Sequence, residues 1–309
     1  INDQNIMRHG SKYELNTLSI VNELDFDFSK LSLGIMNSND KDIGNKKSIK
    51  HKDIFTQWQG LISDHELSVG ARVIDHKDFG THTTYNFNWA RDISLNSRLS
   101  ASYGSATNIP NHYQNKQNVK NSQTTLNPER SRSLEIGLQN QSNIGLVEFK
   151  VYQTKIEDAF SYIDPESNWD GYYVNDGTTD ISGAELSLET VLLGMDITTK
   201  IDYNKSIDKA TKKQKGRRPN RSISLNLSKT SGKWKRSINW ITKSRAWDKN
   251  SETTKLGGYG LLNLSTSYDF TEDLTVYLNR NNALDKDYEM ARGYNTHGKT
   301  TTLGLTYNF

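Results

Sequence analysis

The 309 residues include no cysteine, which excludes a disulfide framework and thiolate-held metal. Only 33% of them are hydrophobic, short of the roughly half expected of a soluble globule, yet 15 Tyr, 9 Phe and 6 Trp are too many for a disordered chain. Net charge is +3 with both signs mixed along the chain, so the general basic footprint of a nucleic-acid binder is missing.

The chain opens on Ile1-Asn2-Asp3-Gln4, a polar start with neither initiator Met nor signal peptide, and the expectation is a removed signal or a missing N-terminal part. Strands are expected near 12–28, 31–38, 52–62 and 65–75, the last with Leu67, Val69, Ala71 and Val73 opposing Ser68, Gly70 and Arg72. The next falls near 82–90, where Thr83, Tyr85, Phe87 and Trp89 oppose Thr84, Asn86 and Asn88, followed by 95–104, 131–139 and 144–158. Strands then fall near 179–191 and 195–206, where Met195, Ile197, Ile201 and Tyr203 oppose Asp196, Thr198, Lys200 and Asp202. Near 221–228, Ile223, Leu225 and Leu227 oppose Ser222, Ser224 and Asn226, and another strand is expected near 233–245. Near 259–269, Leu262, Leu264 and Tyr268 oppose Asn263, Ser265 and Ser267. The last two lie near 274–282 and 298–309, where Leu303, Leu305, Tyr307 and Phe309 share one face. Successive strand side chains point to opposite faces, so each segment has one greasy and one polar side. No segment shows a convincing helical stripe, and the longest apolar run, Val191-Leu192-Leu193, is far too short to span a bilayer as a helix.

Connector lengths separate a membrane barrel from a soluble sandwich. Short ones are expected at Ser29-Lys30, Ser63-Asp64, Asp92, Asn140–Asn143, Gly194, Lys229–Gly232 and Thr271–Asp273. Between them lie longer polar stretches at 39–51, 76–81, 105–130, 159–178, 207–220, 246–258 and 283–297. Tight turns on one rim and long loops on the other mark an all-β, transmembrane, antiparallel up-and-down β-barrel of the bacterial outer membrane, with turns periplasmic and loops outside. This puts Phe309 in the periplasm and residues 1–11 outside. Bacterial barrels have an even strand number, so fifteen strands with an outward start imply that residues 1–309 are the C-terminal portion of a larger barrel.

Several motifs then acquire a common meaning. Asn127-Pro128-Glu129-Arg130-Ser131 is followed by Glu135 and preceded by Ser102-Tyr103-Gly104 and Ile109-Pro110-Asn111. Further on come Ile181-Ser182-Gly183-Ala184-Glu185, Asn282-Ala283-Leu284-Asp285-Lys286-Asp287-Tyr288, and Gly293-Tyr294. Together these resemble the TonB-dependent outer-membrane receptors, and within them the cobalamin (vitamin B-twelve) receptors, in good register from about residue 100 to the end. Ala283 and Leu284 depart from the family's usual Leu-Phe. The resemblance implies a 22-stranded barrel, of which some seven strands would lie upstream, and an N-terminal plug with a TonB-contacting segment, neither of which this sequence shows. It also makes Leu303, Leu305, Tyr307 and Phe309 the signal read by the outer-membrane barrel assembly machinery, where the plain alternative is an edge strand that ends in Phe.

Catalytic constellations are missing: no G-x-S-x-G elbow and no H-E-x-x-H occurs, so no catalytic residue is assigned and no enzyme is expected. His9, His51, His65, His76, His82, His112 and His297 are scattered and read as surface histidines rather than metal ligands. Asp40 and Asp42 lie in an oxygen-rich stretch, Asp40–Asn45, that is a weak candidate for Ca²⁺ because it lacks EF-hand spacing and a closing Glu; a solvated loop is the simpler reading. The basic block Lys212, Lys213, Lys215, Arg217 and Arg218 reads as a solvated loop. By resemblance Arg217 is a candidate ligand contact at the outer rim, against the plainer reading of an arginine that holds loops or lipopolysaccharide phosphates. Glu135, Glu148, Lys150, Glu185, Asp196, Lys200 and Asp202 should line the lumen.

The resulting expectation is an outer-membrane receptor that imports a scarce large ligand, cobalamin or a siderophore, with TonB energy coupling. Outer-membrane lipid, lipopolysaccharide and TonB are the expected partners, and nucleic acid is not. The rivals are a passive porin or adhesin barrel, a barrel hydrolase, and a soluble sugar-binding sandwich or propeller.

Overall fold

The computed structural model describes residues 12–44, 46–121, 125–164 and 171–309. The strands come in chain order. The first six are β1 (Tyr13–Phe26), β2 (Ser29–Asp42), β3 (Lys47–Ile62), β4 (His65–His76), β5 (Gly80–Ser94) and β6 (Ser97–Asn108). A helix, α1 (His112–Lys120), precedes β7 (Glu129–Ser142), β8 (Gly145–Glu157), β9 (Phe160–Ile163) and β10 (Tyr172–Asn175). Next come β11 (Thr179–Leu192), β12 (Met195–Asp208), β13 (Arg221–Ser231) and β14 (Trp234–Lys243). The chain finishes with β15 (Ala246–Trp247), β16 (Lys255–Leu256), β17 (Tyr259–Asp269), β18 (Leu274–Asn281) and β19 (Thr300–Tyr307). Fifteen of these form one sheet in which sequential strands are neighbours, while β9–β10 and β15–β16 are separate two-stranded hairpins. Contacts divide the chain into two compact units. The first runs through Trp89 and adds Ser102–Arg132 and Ile156–Gly177; the second holds Ala90–Ala101, Ser133–Lys155 and Thr178–Phe309.

Register in the second unit shows why the sequence alternates. Ile197 faces Leu227, Leu227 faces Ile238 and Ile238 faces Leu264, one apolar row across four strands. On the opposite face Thr198, Asn226, Asn239 and Asn263 form a polar row, with Asn263 Nδ2 donating to Asn239 Oδ1 at 3.1 Å. The polar row satisfies itself. The apolar face is left open: Ile238 and Leu264 of this row are exposed, Ile197 and Leu227 half-buried, and on β19 Leu303 is 73% exposed and Leu305 67%, with Leu262 half-buried. Among the described residues the buried hydrophobic side chains are Leu126 at 3%, Ala246 at 7% and Leu256 at 4%, none of them in the large sheet. A soluble sandwich would hide these rows in a dry core; a sheet that turns them outward needs lipid to cover them. At the turn-bearing rim Trp234 packs on Tyr268 at 4.8 Å, Tyr268 on Phe270 at 4.8 Å and Tyr307 on Phe309 at 5.1 Å, an aromatic girdle suited to the headgroup level.

Two glycines are fixed by close approach. A Cβ at Gly34 would overlap the ring of Phe55, its cross-strand partner, and one at Gly304 would overlap Tyr277 in the same relation. In each pair the aromatic ring lies over the glycine and shields its bare backbone.

Several expected boundaries are corrected. The stretch 39–51 is not a long loop: β2 continues to Asp42, which pairs with Lys47 of β3. Nor is 76–81, where only residues 77–79 separate β4 from β5. The first turn is at 27–28 rather than Ser29-Lys30, and the one placed at Asp92 is at 95–96. These strand ends are polar on both faces, so the alternation that reveals a strand is lost although backbone pairing continues. The start at residues 1–11, on which the strand-parity argument leaned, lies outside the described residues.

The all-β architecture stands, and the connector before β7 adds to it the short helix α1. Its sequence, HYQNKQNVK, has no apolar stripe. A capping box starts it instead: Asn111 Oδ1 accepts from Gln114 N at 2.9 Å, and Gln114 Oε1 accepts from Asn111 N at 2.8 Å. Asn111→Ala is expected to destabilise this helix by about 1 kcal/mol, seen as roughly fivefold faster hydrogen exchange at Gln114 with strand amides unchanged.

Candidate functional site

The loops of each unit gather side chains at the rim opposite the tight turns. In the second unit three connectors, 209–220, 244–258 and 282–299, meet at Asp248. Hairpin β15–β16 positions this aspartate, whose own N–H donates to Thr254 O at 2.8 Å. Arg217 Nε donates to Asp248 Oδ1 at 2.9 Å, and the Arg292 N–H donates to the same oxygen at 3.1 Å. Arg217 sits in left-handed backbone with φ 58°, and its N–H donates to Trp247 O. Gly216 N donates to Asn250 Oδ1 at 2.8 Å and Lys215 Nζ to Asp208 Oδ2 at 3.2 Å. Burial works to raise the Asp248 pKa, but the Arg292 N–H, the Arg217 hydrogen bond and the nearby cations outweigh it, so its carboxyl lies below the usual carboxylate range. Arg217 thus joins two of the connectors, with its side chain still 54% exposed at the rim.

The Asn282–Tyr288 motif proves to be a strand-exit device. Asn282, at φ 47°, donates from its N–H to Asn263 Oδ1 at 2.9 Å and from Nδ2 to Lys286 O at 2.9 Å, and its Oδ1 accepts from Lys286 N at 2.9 Å. Asp285 accepts from the Lys299 N–H at 2.9 Å and from its ammonium at 2.9 Å, which lowers the Asp285 pKa and ties the loop's two ends.

In the first unit α1 rests on the rim. His112 Nε2 lies 3.1 Å from Asp40 O, and its ring stacks on Tyr13 at 5.9 Å. Asn118 imitates a strand, donating to Tyr173 O at 2.9 Å and accepting from Tyr173 N at 2.8 Å. Tyr173 packs against Tyr162 at 5.2 Å and Tyr113 at 6.3 Å. A cavity of about 600 Å³ opens beneath the helix, lined by Asp42, Lys47, Asp78, His112, Lys116 and Lys120 among others, within the volume range of small-molecule sites. The Asn127-Pro128-Glu129 motif braces this region. Asn127 N donates to Asn175 Oδ1 at 2.8 Å, and Glu129 accepts from Asn108 Nδ2 at 2.7 Å and from Phe160 N.

The structure redistributes the remaining candidates. Asp40 and Asp42 lie in β2, not in a loop, and Asn45 of that stretch falls outside the described residues. Among the described residues no group of three or more His, Asp or Glu side chains is placed to hold a metal ion. The histidines are less scattered than expected: His51 and His76 are cross-strand partners with stacked rings 6.3 Å apart, and His51 Nδ1 is 2.7 Å from buried Asp53, which also meets Arg72. The two-residue turn at Ser63-Asp64 sets the register that makes residues 51 and 76 partners, so this pairing was available from the sequence. His9 lies outside the described residues. Asp202 and Lys200 face Ser222 and Ser224 on the polar face, where Ser222 Oγ donates to Asp202 Oδ2 at 2.7 Å; Glu185 faces Asp202 and Ser187 Oγ lies 3.4 Å from Glu148. Leu303, Leu305 and Tyr307 share the outward face of β19, which leads to the exposed Phe309.

Against this geometry the relatives can be placed. The family model described as TonB dependent receptor-like, beta-barrel, matches residues 7–283. The chain is 27% identical over 255 residues to the vitamin B12 transporter BtuB of Photobacterium profundum, spanning 80% of this chain and 41% of that protein. A ferric enterobactin receptor of Pseudomonas aeruginosa superposes with a TM-score of 0.77 at 16% identity, covering 96% of this chain and 55% of that one. The copper transporter OprC superposes with a TM-score of 0.80 at 16% identity, covering 97% and 57%. The chain thus spans less than half the length of that curated relative, and likeness at such low identity to the solved structures concerns the fold alone.

Proposed function

We infer the function from one premise: this chain belongs to the TonB-dependent receptor family of outer-membrane β-barrels. Its relatives are receptors and transporters rather than enzymes. We propose that the chain is the C-terminal part of a barrel wall, and that the full-length protein imports a scarce, large ligand of the cobalamin or siderophore kind by TonB coupling. The observation that carries this reading is the family match over residues 7–283, joined to 27% identity with a vitamin B12 transporter over 80% of the chain. The outer loops support this reading, because the connectors braced around Asp248 and the cavity beneath α1 are the kind of structured surface that ligand capture needs. Energy coupling, the ligand and the barrel assembly machinery as a partner are parts of this proposal; a calcium requirement is not.

Uptake provides the test. In a host lacking its own receptors, the full-length protein should accumulate labelled cyanocobalamin or a ferric siderophore above the vector control, and deletion of TonB should abolish that accumulation. Accumulation that is equal with and without TonB would favour the passive barrel. Failure to accumulate either ligand would remove both named cargo classes.

A further inference from the structure

The loop clasp leaves three cations beside it unexplained. Arg221, Arg245 and Lys255, all exposed, surround a polar cavity of about 250 Å³ in the second unit, with Gln214, Asn220 and Trp247 completing its wall. Backbone bonds draw two of them together: Ser244 N donates to Arg221 O at 2.9 Å, and Arg221 N donates to Ser244 Oγ at 3.1 Å, next to Arg245. Hairpin pairing brings the third, for Lys255 is the partner of Trp247 and its ammonium stands 5.0 Å from the indole centre.

The two cations of the clasp are neutralised, and these are not. Lys215 pairs with Asp208 and Arg217 with Asp248, whereas among the described residues no carboxylate lies within ion-pairing distance of Arg221, Arg245 or Lys255. Three like charges around one polar cavity repel each other until an anion enters it, and guanidinium forks match the oxygens of a phosphate. Placement narrows the source. Arg221 faces Tyr203 across β12 and β13, on the outward face that carries Ile201 and Ile223. The cavity therefore stands where an apolar lipid-covered band gives way to the long-loop rim, at headgroup level. It is smaller than a pocket for a drug-sized ligand.

We propose that Arg221, Arg245 and Lys255 form a phosphate-binding site on the outer surface of the barrel wall, occupied by the phosphorylated headgroup of an outer-leaflet lipid or by free phosphate. The site is independent of the cargo.

Native mass spectrometry of the full-length protein in uncharged detergent tests this with three probes: bisphosphorylated lipid A, the same lipid dephosphorylated, and inorganic phosphate. The phosphorylated lipid should bind at least tenfold more tightly than its dephosphorylated form, and the triple variant Arg221→Gln, Arg245→Gln, Lys255→Gln should lose that preference. If inorganic phosphate binds and the triple variant loses it, the site stands with the free anion as its occupant. A charge-preserving variant, Arg221→Lys with Arg245→Lys, should bind within about threefold of the parent, and Lys255→Gln alone decides the matter if the triple variant does not assemble. Equal binding of phosphorylated and dephosphorylated lipid with no binding of phosphate, or unchanged binding by the glutamine variants, would overturn the proposal.

Discussion

Ile201→Arg in the full-length protein should lower its folding free energy in phospholipid vesicles by about 1–2 kcal/mol, between the cost at the bilayer midplane and the small cost at the interface, whereas Thr198→Arg should change it by less than about 1 kcal/mol. Both positions lie on β12, three residues apart and on opposite faces. Ile201 stands between Leu186 and Ile223 in the outward apolar band, where a guanidinium would have to sit in hydrocarbon or distort the bilayer to reach water. Thr198 stands between Glu189 and Asn226 on the polar face, where a new cation meets water and a carboxylate. Urea titration of the refolded protein, followed by tryptophan fluorescence, measures both changes. A near-neutral Ile201→Arg would mean that the outward face meets water, and the membrane placement would then be lost.

Asp248→Asn should release the clasp that joins the three outer connectors of the second unit. The carboxylate is almost fully buried and accepts from the Arg217 guanidinium and from the Arg292 N–H. An amide of the same shape keeps one weaker acceptor and loses the charge. Hydrogen bonds to a charged group contribute about 1.5–3 kcal/mol, and because Arg217 is half exposed, water screens its share towards the low end. The expected local loss of about 2 kcal/mol corresponds to roughly thirtyfold faster exchange at the Arg217 and Arg292 amides, with the amides of β12 and β17 unaffected. The pH dependence has a definite sign. The folded Asp248 carboxyl titrates below its ordinary value, so its contribution is complete above the usual carboxylate range and fades as pH falls through the folded value, below about pH 4. Loop exchange in the parent should therefore quicken only in acid, and Asp248→Asn should lack that acid step. If exchange at Arg217 and Arg292 were unaffected by the substitution, Asp248 would not be what joins the loops.

Much of this molecule is written in residue order because a strand's faces are local. The period-two pattern of Ile197, Ile201 and Tyr203 against Thr198, Lys200 and Asp202 assigns lipid and lumen without any knowledge of neighbours, since adjacent side chains must point to opposite sides. Fifteen such segments appeared in sequence and fifteen strands form the large sheet. Family motifs were equally legible, although their physical reason was not: Asn282 caps a strand exit and Glu129 braces two loops, bonds that join residues distant in the chain. Helix α1 escaped because it begins on one pair of side chains, Asn111 and Gln114, rather than on an apolar stripe. The strand ends beyond Ser38 and before Lys52 escaped because mostly polar residues on both faces remove the alternation while backbone pairing carries on.

Composition and periodicity, then, determined the class of fold and the orientation of each face, and the resemblance of the motifs pointed to the family. Only the three-dimensional arrangement decided which charges meet. Arg217 was singled out in the sequence as a rim arginine, either a candidate ligand contact or a holder of loops, and an aspartate 31 positions away pairs with it, while Arg221, Arg245 and Lys255, unmarked in the sequence, are left around one cavity without a counter-ion. Electrostatic partnership falls off over a few ångströms of space and not over residues of chain, so it could be settled only after hairpin registers and loop contacts had set those distances.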